Sequence, residues 1–347
     1  MIAYKQMLND ILTYGRERGD RTGTGTISRF GGMYRYDFRD GFPIQTARQT
    51  SLKWIQRELE WFLKGMTNTS FLKEKGVSIW DEWAVKPEQA YNVNNVNWID
   101  ASILFPEITS YGSHVYEMAW EDIERMFINL GSRVEDHLFV KPGDCGPIYG
   151  KQWRSFNGSD QIKRLVRELR ENPFSRRHIV TAWNPSVLPK DSMSPEENVF
   201  EGNAALASCH AMFQYYVTKL TDDDRAIYGV GPEVKYGLSC NFYQRSMDAV
   251  LGAPYNIASY SMLTVILCHM LGYAPMETIQ TAGDIHIYKN HLPQITELLE
   301  RPVYDRPKLR IKEGVIPKAD PADYSWDDFE IVGDYKYGEK MNFPISK

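Results

Sequence analysis

From Ala258 to Gly272 the chain reads Ala-Ser-Tyr-Ser-Met-Leu-Thr-Val-Ile-Leu-Cys-His-Met-Leu-Gly, a long apolar run with a glycine stop. Such a run predicts a buried helix, which only a large surrounding core can accept. A membrane span needs roughly 20 consecutive apolar residues, and no run in this chain approaches that. The helix must therefore be covered by the rest of the chain, and 347 residues with 43% hydrophobic content have the material for it.

The covering elements can be read from their spacing. Residues 1–20, MIAYKQMLNDILTYGRERGD, form an amphipathic helix and lack the apolar core and cleavage site of a signal peptide. Thr50 to Gly65 places Leu52, Ile55, Leu59, Phe62 and Leu63 at helical intervals, with Glu58 and Glu60 on different faces. Gln161 to Asn172 is a further helix ended by Asn172 and Pro173. Strands are expected at His178 to Trp183, His210 to Val217 and Leu238 to Gln244. Long helices and strands without regular βαβ alternation predict an α+β fold. No internal repeat or linker divides the chain, so one domain over 1–347 is expected. Two stretches look like surface additions: Val85 to Pro142, with a helix expected at Trp120 to Leu130, and Pro185 to Asn203.

A net charge of -5 with no block of Lys and Arg argues against a polynucleotide partner, while leaving room for a small anion held by a few converging arginines. The four cysteines, Cys145, Cys209, Cys240 and Cys268, have neither close pairing nor high density, which points to reduced thiols in a cytoplasm. Cys209 and His210 open an alternating strand, where a cysteine is reachable by a ligand and a nearby Arg would lower its pKa. A buried core thiol is the competing reading, and the residues alone leave both open. The same dipeptide recurs as Cys268-His269 inside the apolar helix, where core is the better reading.

Arginines stand beside turn or strand signals at Arg21, at Arg176 and Arg177, and at Arg245 with Ser246 after a strand. Together they could bind a phosphomonoester through their planar forks; singly, each reads more readily as a solvated charge. The alternation of Gly23 and Gly25 is too short to define a nucleotide loop. In Gly283 to Tyr288, Asp284, His286 and Tyr288 share one strand face, suited to sugar hydroxyls or simply to solvent. No His, Cys and carboxylate set has metal-ligand spacing, so no metal is expected.

Taken together, these residues resemble the thymidylate synthase family. The resemblance runs in order through Arg21-Thr-Gly-Thr-Gly-Thr, Gly41-Phe-Pro, Glu58-Leu-Glu-Trp-Phe-Leu, Ile79-Trp-Asp-Glu-Trp and Gly146-Pro-Ile-Tyr-Gly-Lys-Gln-Trp-Arg. It continues through Ser175-Arg-Arg, Cys209-His, Tyr243-Gln-Arg-Ser, Pro254-Tyr-Asn-Ile-Ala-Ser-Tyr and Asp284-Ile-His-Ile-Tyr. It implies a homodimer with a large twisted mixed sheet and a long buried helix. Arg21, Arg245 and Ser246 would hold the phosphate of dUMP, with Arg176 and Arg177 lent by the other subunit. Cys209 would be the nucleophile toward C6 of the pyrimidine, and 5,10-methylenetetrahydrofolate the co-substrate. His210 would support the polar network beside it. Glu58 would organise proton-carrying waters, and Tyr149 would assist loss of the C5 proton. Asn256 would read the base edge, because an amide supplies the donor and acceptor that uracil requires. His286 and Tyr288 would bind the 3′ hydroxyl, while Trp80, Trp83 and Asp248 would contact the folate.

Three positions depart from the family pattern. Ser208 replaces the usual Pro before the nucleophile, Gln49 replaces an Arg expected near the closing tail, and the chain ends in Lys347 in place of an apolar residue. The last two concern water exclusion, which decides whether the methylene at C5 takes a hydride or a hydroxyl. Related viral enzymes add a hydroxymethyl group, and Gln56-Arg-Glu-Leu-Glu-Trp resembles one of them. The alternatives to a synthase are thus a dUMP hydroxymethyltransferase, acting in a host cytoplasm if viral, or a silent binding relative.

Overall fold

Strands β5 (Tyr236–Asp248) and β6 (Ala274–Tyr288) pair in parallel, so the chain between them must cross back over the sheet. Helix α8 (Gly252–Leu271) makes that crossing, and its buried residues lie on every side of it, including Ile257, Met262, Leu263, Ile266 and Leu267. This is the apolar run that opened the sequence. In this computed structural model, which describes residues 2–20, 23–86 and 140–345, the helix begins six residues earlier than the sequence suggested, at Gly252 rather than Ala258. Pro254 does not prevent this, because the first-turn N–H groups of a helix have no partner within it. Just before the helix, the Asp248 carboxylate accepts the N–H groups of Val250 and Leu251 at 2.8 and 3.0 Å. The longer helix carries Asn256.

The remaining elements, in chain order, are α1 (Ile2–Tyr14), β1 (Arg16–Arg18), β2 (Thr26–Asp37), α2 (Leu52–Leu63), α3 (Ser70–Glu74), α4 (Tyr149–Ser155), α5 (Gln161–Glu171), β3 (Ile179–Thr181) and α6 (Pro195–Phe200). They continue with β4 (His210–Lys219), α7 (Asp222–Tyr228), α9 (Leu292–Glu300), β7 (Lys308–Ile311) and β8 (Phe329–Val332). The described residues fall into two compact units. The first comprises Met1–Gly65, Gln152–Trp183 and Ser208–Lys347, and the second Met66–Lys151 and Asn184–Ala207.

In the first unit a six-stranded sheet runs β1-β2-β6-β5-β4-β3, antiparallel except for the β5–β6 pair. This is the mixed α and β architecture expected. Along β4, Phe213, Tyr215 and Val217 are buried on the inner face. They meet α8 through Tyr260, which stacks on Phe242 at 4.3 Å and lies 5.2 Å from Phe213. Two polar pairs join α8 to this face: Ser261 with Thr278 at 2.8 Å and Tyr215 with Thr264 at 3.2 Å. Helix α2 and the β7–β8 hairpin also pack on α8. Helix α2 is capped by Ser51, whose hydroxyl accepts the Trp54 N–H, and is stopped by Gly65 at φ 70°. The outer sheet face leaves Met33, Met212, Tyr216 and Tyr243 exposed.

In the second unit Asn68 donates to Asp144 at 2.7 Å, and the Ala205 N–H reaches the Cys145 carbonyl at 2.9 Å. Gly146 has φ 66°, and a Cβ there would meet the Asn203 carbonyl at 2.2 Å, so only glycine fits. Within Pro185 to Asn203, α6 opens with a capping box between Ser194 and Glu197 and buries Val199 and Asn198. The expected helix at Trp120 to Leu130 lies outside the described residues, as do Arg21 and Lys347.

Burial of α8 predicts a steep cost for thinning it. Leu263→Ala should lower the stability by about 3 kcal/mol in reversible urea unfolding, whereas Leu12→Ala on the exposed side of α1 should change it by less than about 1 kcal/mol.

Candidate active site

The parallel pairing sets the carboxyl ends of β5 and β6 side by side, with Ser246 opposite Asp284 and Asp248 opposite His286. Strand β4 starts at the same end, His210 facing Gln244, and its register slips between His210 and Met212. Such a bulge turns the strand and re-aims the side chains beside it. Strand β5 also runs past the expected end at Gln244, so Arg245 and Ser246 are strand residues, held there by pairing with β6.

Cys209 immediately precedes β4 and this bulge and is half-exposed, whereas Cys145, Cys240 and Cys268 are buried. Burial pushes the Cys240 thiol up to about 12 and raises those of Cys145 and Cys268 strongly as well, so none of the three supplies thiolate. The control dipeptide Cys268-His269 indeed lies in α8. Two bonds from Arg245 fix the backbone at the half-exposed cysteine. Its main-chain N–H reaches the Cys209 carbonyl at 2.8 Å and its Nε the Ser208 carbonyl at 3.0 Å, while its guanidinium lies 5.4 Å from the Trp183 ring. Ser208, which departs from the family pattern, donates its hydroxyl to the Ala182 carbonyl at 3.2 Å, a restraint that a proline there could not make.

His210 is enclosed by Phe62, Trp153 and Tyr260, with its Nδ1 2.7 Å from the Tyr260 hydroxyl. Desolvation lowers its pKa to about 3, so the ring is neutral at physiological pH. On α8, the Asn256 Oδ1 accepts from Gln244 Nε2 at 2.9 Å. Glu58 and Glu60 on α2 are both buried. Glu60 is paired with Lys64 at 2.8 Å, while Glu58 acts on Tyr255 of α8. Burial raises the pKa of that tyrosine, with Arg48 opposing and the Glu58 charge adding to the rise.

At the end of β6, His286 Nδ1 meets Asp284 at 2.8 Å, and the Tyr288 ring stands edge-on to His286 at 5.2 Å. Asp284 also accepts from Ser28 at 3.0 Å and Arg18 at 3.1 Å. Burial opposes its charge, but the hydrogen bonds from His286 and Ser28 and the nearby positive charges prevail and hold the carboxyl below its usual value. Ahead of β2 the chain turns at Gly23 and Gly25, at φ 72° and 77°, and the Gly25 carbonyl accepts the Lys289 N–H at 3.0 Å. Arg176 and Arg177 are not brought to this end. They are exposed, neither guanidinium has a partner among the described residues, and β3 pairs so that they lie beside Gln214 and Tyr216. That is about 20 Å along β4 from Cys209, at roughly 3.3 Å per residue.

The C-terminal segment lies along the same unit. Tyr335 donates to the Gln45 carbonyl at 2.7 Å, Gln49 donates to the Tyr337 hydroxyl at 3.1 Å, and the Gly338 N–H reaches the Thr46 carbonyl at 2.9 Å. The Phe343 ring lies 5.0 Å from the Arg48 guanidinium and 5.2 Å from the His291 ring, and His291 Nε2 meets the Pro344 carbonyl at 2.7 Å. In the second unit, buried Trp80 stands edge-on to Tyr149 at 5.8 Å, and Trp83 is half-buried. Among the described residues no cluster of three or more His, Cys, Asp or Glu is arranged to hold a metal.

The sequence motifs include Gln244 and Tyr260 but give neither a role, and Gln280 is not singled out at all. Their signal was present as polar residues among the apolar positions of β5, α8 and β6, but only the fold reveals what they face.

The thymidylate synthase family model matches residues 2–347. The protein named thymidylate synthase in Francisella philomiragia is 37% identical over 348 residues, covering 100% of each chain.

The neutral state of His210 has a measurable consequence. Between pH 6.5 and about 3 the unfolded chain binds a proton here that the folded chain does not, so stability falls as the pH drops through this window. The slope from this group is about 1.4 kcal/mol per pH unit. Denaturant unfolding of His210→Gln should show a correspondingly shallower loss below pH 6.5 than the parent; equal slopes would contradict the assignment.

Proposed function

The chain belongs to the thymidylate synthase family, and on that premise we propose that it converts dUMP to dTMP with 5,10-methylenetetrahydrofolate, Cys209 acting as the nucleophile. The observation that carries the proposal is that the half-exposed cysteine, Arg245, Asn256 and His286 all stand at one end of the sheet.

The Cys209 thiolate adds to C6 of the pyrimidine, which leaves C5 as an enolate-like carbon able to take up the one-carbon unit. Bound folate would supply that unit and, as a hydride, the electrons that reduce it to methyl, leaving as dihydrofolate while the C6–sulfur bond breaks and Cys209 departs as thiolate. Arg245 and Ser246 bind the phosphate, joined by Arg21, and Arg245 also holds the Cys209 backbone. Asn256 offers uracil a donor and an acceptor, and neutral His210 braces the pocket through Tyr260. His286, oriented by Asp284, and Tyr288 bind the 3′ hydroxyl. Glu58 orders waters that carry protons, and Tyr149 assists loss of the C5 proton. Asp248 keeps one oxygen on the turn before α8, leaving the other to accept a ring N–H of the folate, with Trp80 and Trp83 as further contacts. Seating of Phe343 and Pro344 on Arg48 and His291 supports water exclusion and hence hydride transfer over hydroxylation.

The chain acts as a homodimer. The outer sheet face supports this, since exposed Met33, Met212, Tyr216 and Tyr243 form an apolar surface that a second copy would cover. Exposed Arg176 and Arg177 are then available to the partner's phosphate site. The two units work as one catalytic domain in the cytoplasm, a reading that its free thiols support.

Two outcomes follow. Incubation with dUMP and methylenetetrahydrofolate should yield dTMP by mass spectrometry with stoichiometric dihydrofolate by absorbance, and Cys209→Ser should abolish this while binding dUMP within about threefold of the parent. Hydroxymethyl-dUMP without dihydrofolate would sink the reading. Tyr216→Lys should give a monomer by light scattering and weaken dUMP binding by at least about tenfold, through loss of the partner's arginines.

A further inference from the structure

Three amides form a line from the core to the base-reading position. Gln280 on β6 is fully buried and donates its Nε2 to Gln244 Oε1. Gln244 on β5, 2% exposed, in turn donates its Nε2 to Asn256 Oδ1 at 2.9 Å. Each link runs in the same direction, and the inner end of the line, Gln280 Oε1, is buried without a hydrogen-bond partner.

Direction matters because an amide is polar along its edge. With Gln280 as donor, Gln244 must turn its oxygen inward and its nitrogen toward α8, and Asn256 must turn its oxygen toward Gln244. Reversing the line would exchange the oxygen and nitrogen that Asn256 presents. Uracil offers an acceptor at O4 and a donor at N3, whereas cytosine offers a donor at N4 and an acceptor at N3. The two polarities of Asn256 therefore match different bases. The observed direction leaves a buried carbonyl oxygen unpaired at the Gln280 end, while the reverse would leave a buried NH2 group unpaired, and an orphaned N–H is the rarer and costlier of the two.

We propose that Gln280 is a positioning residue that sets the polarity of the Gln244–Asn256 pair and thereby the preference for uracil over cytosine nucleotides. It touches no substrate and acts through two intervening side chains. The inference rests on Asn256 as the reader of the base edge.

The test is equilibrium binding of dUMP and dCMP by calorimetry to the full-length protein and to two variants. Gln280→Met keeps the volume but removes the donor, and its dUMP-to-dCMP affinity ratio should fall at least about tenfold from the parent's. Gln280→His retains an N–H and should keep the ratio within about threefold of the parent's. A purely structural role would lower stability in both variants and move the two affinities together. An unchanged ratio in a folded Gln280→Met, a His variant that loses the preference as fully as the Met variant, or a parent that binds both nucleotides equally would overturn the proposal. Because binding is read without turnover, a failure to form dTMP counts against the proposed function and not against the relay.

Discussion

Parallel pairing of β5 with β6 is the constraint on which the rest of the first unit depends. It compels a crossover, and the crossover is a helix apolar on every side, which has to be covered by the sheet, by α2 and by the β7–β8 hairpin. The same pairing brings two strand ends together, so that Arg245, Ser246, Asp248, Asp284 and His286 become neighbours although some forty residues separate the two groups in the chain. The site is a by-product of how the core is closed.

At that end, polar groups are held by other polar groups of the chain. Arg245 grips the backbone of Ser208 and Cys209, Asp284 gathers three donors, and Gln280 and Gln244 hand their orientation to Asn256. His210 is kept neutral by its aromatic surroundings. Preorganisation of this kind means that a nucleotide bound here, as proposed, would meet donors and acceptors already aimed, with little reorganisation left for the reaction. It also makes the buried part of the site intolerant of change, because a substitution at Gln244 or Gln280 would leave a buried amide partner unsatisfied.

Much of this was legible in the chain. Regular spacing located α2 and α5, the apolar run located α8, and alternation located the end of β6. Cys209 was separable from Cys268 by its setting alone. What the residues could not reveal was pairing. The length of β5 beyond Gln244 is set by its partner β6, and the start of α8 at Gly252 by the turn at Asp248, neither of which has a local signature. Strand β2 escaped notice because Gly31 and Gly32 interrupt its alternation. The relay through Gln244 and Gln280 likewise exists only across strands, since no local spacing in the sequence relates the two glutamines to each other or to Asn256.

The proposed nucleophile, the residue that would form the covalent bond to the pyrimidine, is Cys209. Fluorine at C5 cannot leave as a proton does, so 5-fluoro-dUMP with methylenetetrahydrofolate should halt the reaction after both bonds to the pyrimidine have formed. Intact-mass analysis followed by peptide mapping should then find nucleotide and folate attached to the peptide that carries Cys209. No adduct, or an adduct on Cys145, Cys240 or Cys268, would contradict the account.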